Sequence, residues 1–127
     1  MECIFCKIAN NEAPSYTIYE DDIVKVFLNI NPLSNGHLLI IPKKHFDNLS
    51  DIDVKTLNHI NMVSKKMYEL LKEKLNIDGL TISQNNEYGQ EIKHYHMHLT
   101  PRYKNDNVSV VYPSKKEDIK KIYGILK

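Results

Sequence analysis

The chain has 127 residues, 42% apolar and 26% charged, the proportions of a globular protein long enough to bury a core without cross-links. Lys and Arg number 17 against 16 Asp and Glu, and a net charge of +1 excludes a broad electrostatic surface for nucleic acid or membrane. No apolar run approaches a membrane span, and the N-terminus lacks a secretion-signal layout, so the expectation is one cytoplasmic domain over residues 1–127.

Residues 3–9, CIFCKIA, predict a short helical turn, stopped by the Ala-Pro-Ser at 13–15. YTIYEDD then leads into IVKVFLNI, whose β-branched and aromatic content predicts a strand. NPLSNG is a turn signal, and HLLIIP follows as an apolar strand, central and covered on both faces, ending at Pro42. Leu57, Ile60, Met67, Leu70, Leu71 and Leu75 recur at three- and four-residue steps and predict a helix over 53–75. Ser50, Asp51 and Asp53 are candidate N-caps, and NIDG at 76–79 is the stop. LTISQ is the next strand, and the polar loop NNEYGQ separates it from a last strand over 92–100. Ile119, Ile122, Tyr123 and Leu126 fit a short amphipathic helix near the C-terminus. The order β-β-α-β-β, with a short loop between the last two strands, favours an antiparallel α+β sheet.

HYHMHLTPR, residues 94–102, places His94, His96 and His98 at every second position. On a strand they share one face while Tyr95, Met97 and Leu99 pack on the core. One metal cannot take all three without a sharp bulge: successive imidazoles on one strand face lie about 6.6–7 Å apart, and zinc ligand atoms sit little more than about 3 Å from one another. At least one ring is therefore free for other chemistry. Neutral imidazole is a nucleophile near pH 7, and a row of them suits attack on phosphorus. The amides and glycine of NNEYGQ suit the holding of phosphate oxygens.

QEIKHYHMHLTPR resembles the signature of the histidine triad (HIT) family of nucleotide hydrolases and transferases. CIFCKIANNEAPSYTIYEDDIVKVFLNINPLSNGHLLIIPKKH resembles that family's opening segment without a gap. The resemblance covers about residues 3–103 and implies a HIT-like antiparallel sheet with one long helix and short terminal helices. It implies His96 as the nucleophile toward the α-phosphorus, with the His94 carbonyl fixing its tautomer. His98 and Gln90 would contact phosphate. Phe5, Ile8, Leu28, Asn29 and Ile30 match positions lining the base and ribose pocket. Two departures stand out. Asn29 occupies a position where the family usually has Asp for the ribose hydroxyls. Ser83 occupies that of a phosphate-binding Asn, which Asn85 could replace if the loop is rearranged.

Cys3 and Cys6 by themselves read as metal ligands, a redox pair or small buried hydrophobes. The zinc-bearing branch of the family completes the set with the residues matching His45 and His94, which implies a closed structural zinc site; the alternative is an empty thiol pair. His37 either supports the site through hydrogen bonding or serves the turn. His59 is expected on the solvent side of its helix, and the Lys pairs at 43–44, 65–66, 115–116 and 120–121 on solvated faces. The resemblance implies a homodimeric hydrolase of nucleoside 5′-phosphoramidates or related purine nucleotides, AMP derivatives above all. Its rivals are a dinucleoside polyphosphate hydrolase and a non-catalytic zinc- or nucleotide-binding module.

Overall fold

The computed structural model describes residues 3–109 and 118–127; the Lys pair at 115–116 lies outside them. The elements run α1 (Ile4–Ala9), β1 (Thr17–Glu20), β2 (Val24–Leu28), β3 (Leu38–Pro42), α2 (Val54–Leu75), β4 (Gly79–Ser83), β5 (Met97–Arg102) and α3 (Ile119–Leu126). The strands form one antiparallel sheet in the order β1-β2-β3-β5-β4. Among the described residues no helix is long and apolar enough to cross a membrane.

β3 sits at the centre with every residue buried, as its apolar run predicts. Leu38 and Ile40 face the cluster under α2, which contributes Ile60, Val63, Met67 and Leu71 at helical spacing. Leu39 and Ile41 face the opposite cluster, where Phe5, Ile8 and Ala9 of α1 cover Phe27. One face of the sheet is thus closed by a long helix and the other by only a short one. That second face has room for a ligand.

The structure adds a fifth strand. β1 pairs with β2 through a register shift between Thr17 and Tyr19, and Thr17 and Ile18 stay exposed, so it carries no clean alternation. The histidine strand starts at Met97 rather than 92, because the Tyr95 N–H donates to the Phe46 carbonyl at 2.7 Å, away from any strand. Asp53 takes the N-cap position of α2 without a side-chain bond, and Asn76 ends the helix in the left-handed region at φ 53°. Gly36 is required before His37: its φ is +90°, and a Cβ there would lie 2.5 Å from Leu75 Cδ1.

His59 is not a solvent-side residue. Its Nε2 lies 2.7 Å from the Asp21 carboxylate, which also accepts from the N–H groups of Ile23 and Val24 and from the Tyr19 hydroxyl. This one side chain closes the β1–β2 turn and ties it to α2. Burial opposes its charge, but the His59 contact and the backbone donors hold its pKa well below the usual carboxylate range. Asp21→Ala therefore should cost about 3 kcal/mol in urea unfolding at pH 7, two charge-assisted bonds' worth. A depressed carboxylate stabilises the fold above its unfolded pKa and loses that effect as pH falls through the folded one. The gap between the two proteins should accordingly hold at pH 5 and shrink below about pH 4; a gap that grows on acidification would contradict the assignment.

Candidate functional site

Sheet register builds the floor of the site. Thr17, Phe27, Leu39, His98 and Ser83 are successive cross-strand partners, one row across all five strands on the α1 face. Above this row, between α1 and the 83–92 segment, lies a cavity of about 880 Å³. Phe5, Ile8, Leu28, Asn29 and Ile30 border it, as do His37, Ser83 and Asn85. His96 and His98 look into the same space. Gln90 and His94 are not part of its wall.

Gln90 is buried, and both ends of its amide are engaged: the oxygen accepts from the Glu87 N–H at 3.0 Å and the nitrogen donates to the Asp47 carbonyl at 2.6 Å. It shapes the loop instead of facing the cavity. Asn85, by contrast, lines the cavity, and among the described residues no bond holds its side-chain amide. Sequence reasoning missed Phe27, Leu39, Asn31 and Ile92 in the wall. For Phe27 and Leu39 the missing information was the register that aligns them with His98.

Hydrogen bonds settle the imidazole tautomers by elimination. The Leu33 N–H donates to His37 Nδ1 at 3.1 Å, so a neutral His37 carries its proton on Nε2. That proton points at His98 Nδ1, 3.0 Å away, leaving His98 with an Nε2–H donor. His96 Nδ1 donates to the His94 carbonyl at 2.8 Å, which leaves the Nε2 lone pair free. The rings of Phe5 and His98 each stand edge-on to His96 with centroids 5.0 Å away, fixing its plane. Burial lowers the pKa of His37, and of His96 against the pull of the His94 carbonyl and Glu91. Burial, then the neighbouring His96 and His37, push His98 down to about 4. Near pH 7 the cavity therefore holds neutral imidazoles: one nucleophilic nitrogen beside one N–H donor.

The third triad ring goes elsewhere. One donor atom each from Cys3, Cys6, His45 and His94 lies within 4.8 Å of all the others. A tetrahedral ion with Zn–S bonds of about 2.3 Å keeps its donors under about 4 Å apart, so a small contraction closes this set. Both rings are oriented for it. His94 Nε2 donates to the Pro42 carbonyl at 2.8 Å, and His45 Nε2 lies 2.7 Å from Asp47. Each Nδ1 is thereby turned toward the sulfurs, at 3.2–3.4 Å. Burial pushes His94 down to about 4, the neutral form a ligand needs. Burial and the adjacent Cys3 push Cys6 up to about 11, so without a cation the two sulfurs do not both ionise. A soft S₂N₂ set with a carbonyl and a carboxylate behind its imidazoles fits a tetrahedral dication. Asp47 was not foreseen as an outer partner; its place two residues after His45 was the only signal.

Comparison with known proteins agrees with this geometry. An uncharacterized HIT-like protein of Borreliella burgdorferi is 46% identical over 112 residues, 83% of this chain and 78% of the relative. The adenosine 5′-monophosphoramidase of Saccharomyces cerevisiae is 36% identical over 123 residues, covering 94% and 75%. A Zn-bound histidine triad family protein from Mycobacterium smegmatis has a similar structure, with a TM-score of 0.81 at 35% identity over 86% of this chain and 81% of that one. The HIT domain model matches residues 10–105, and with the triad and the Cys-His cluster in place the chain belongs to the HIT family.

Proposed function

We propose that this protein is a hydrolase of nucleoside 5′-phosphoramidates, acting on AMP derivatives through a nucleotidyl-histidine intermediate. The observation that carries this reading is His96, with Nδ1 tied to the His94 carbonyl and Nε2 free toward the cavity. Phe5, Ile8, Phe27 and Leu39 supply an apolar end for a base, and Asn29 with its loop a polar middle for ribose. His98 Nε2–H donates to a phosphate oxygen, and either Asn85 or Ser83 completes the phosphate cradle. His96 Nε2 attacks phosphorus, and the P–N bond to the amine breaks as the amine takes a proton from solvent. Water then breaks the new P–N bond and releases AMP. Gln90 acts by holding the 87–90 loop.

Cys3, Cys6, His45 and His94 would hold a structural zinc, which closes off α1 without an open ligand position. A single domain over 1–127 and a homodimer belong to the same reading; α3 leaves Ile119, Ile125 and Leu126 exposed for a second copy. The yeast relative is named for adenosine 5′-monophosphoramidase activity, which supports the choice of substrate. The test is turnover of a panel of adenylated amines and dinucleoside polyphosphates. We expect adenosine 5′-phosphoramidate to exceed the dinucleotides in kcat/KM. Preference for dinucleotides would transfer the assignment to the polyphosphates, and binding without turnover of either would make this a binding module.

A further inference from the structure

The polar end of the cavity offers the donors of an amide where a carboxylate would offer none. The Asn29 N–H donates to the His37 carbonyl at 2.9 Å, so residue 29 stands beside the His37–His98 pair. A phosphate at His96 and His98 then places its sugar next to Asn29, with the apolar wall beyond. Asn29 Oδ1 accepts the Asn31 N–H at 2.9 Å, which identifies the oxygen and uses it within the turn. What remains wholly unused for a ligand is the NH₂, with two donors, beside the one lone pair left on Oδ1. Among the described residues no protein group bonds this NH₂.

Given the nucleotide reading of the cavity, on which this rests, we propose that Asn29 makes it a site for 5′-nucleotides whose ribose 2′- or 3′-oxygen carries a phosphate ester. A donor needs only a lone pair on the ribose oxygen, and that survives esterification. A carboxylate at 29 would instead need the hydroxyl hydrogens and would repel a phosphate. Ile30 and Leu33, which flank Asn29 on the rim, are 80% and 63% exposed, so a ribose substituent has an open way out. Glu91 is the acidic residue in the wall, and it belongs to the segment leading to the triad rather than to the 29–33 rim.

The experiment is calorimetric binding of AMP, adenosine 3′,5′-bisphosphate and adenosine 2′,5′-bisphosphate to the full chain and to Asn29→Asp. This variant keeps an oxygen for the Asn31 N–H and therefore the turn. The parent should bind at least one bisphosphate within about threefold of AMP, a difference under about 0.7 kcal/mol. Asn29→Asp should bind AMP about fivefold tighter and both bisphosphates at least about tenfold more weakly than the parent. Discrimination against both bisphosphates by more than about tenfold in the parent would overturn the proposal. So would equal shifts for all three ligands in the variant. If AMP itself fails to bind, the nucleotide reading falls, and this inference with it.

Discussion

His96→Ala should lower turnover of adenosine 5′-phosphoramidate by at least about 10⁴-fold while AMP affinity stays within a few-fold. The separation follows from position. Binding draws on the apolar wall, the polar middle and His98, none of which requires His96 Nε2. The proposed attack requires that lone pair, and among the described residues no other ring in the cavity offers one: His37 Nδ1 accepts from Leu33, and His98 Nδ1 from His37. Denaturing the parent protein in mid-turnover, with label in the α-phosphate, should leave label on His96. Residual activity in the alanine variant above about one hundredth of the parent would remove His96 as nucleophile. Loss of AMP binding together with activity would show that the substitution had collapsed the cavity against Phe5 instead.

Cys3→Ser should remove the metal and lower the melting temperature by about 10 °C, the size expected for about 3 kcal/mol in a chain of this length. Purified without a histidine tag, the parent should carry about one zinc per chain by elemental analysis. The loss is smaller than in zinc fingers, which do not fold without metal, because the sheet here has its own two-sided core. It should fall mainly on α1, where Cys3 also accepts the Cys6 N–H as N-cap. A metal-free parent whose melting temperature matches that of both cysteine variants would leave an ordinary thiol pair.

How much of this was legible in the sequence depended on whether the information was local. The apolar run of β3 and the stepped leucines of α2 carry their own periodicity, and both elements lie where that periodicity predicts. Tyr95, Met97 and Leu99 pack into the core as alternation demands, although β5 begins only at Met97. β1 was invisible as a strand because an edge strand with Thr17 and Ile18 exposed has little to alternate. Partners distant in the chain were also hidden. Nothing near His59 announces Asp21, and nothing near Lys25, buried at 2% exposure, announces its bonds to the Ile8 carbonyl and Asn11. The four-residue metal set drew on the family likeness, since positions 3, 6, 45 and 94 meet only when the sheet is complete.

The strand order has a consequence for how the protein is made. β5 is synthesised after the other four strands of this sheet, yet it belongs between β3 and β4, with Leu38 paired to Leu99. Until residue 102 has been synthesised, β3 has an open edge, and β4 has no neighbour to pair with. Pairing across so long a stretch of chain is slow and must await the whole segment. Cys3 and Cys6 emerge well before the ring they meet, since His94 follows Cys6 by 88 residues. A chain without residues 94–102 therefore carries neither the His96 ring bonded to the His94 carbonyl nor the full Cys-His cluster, and both depend on the segment that leads into β5.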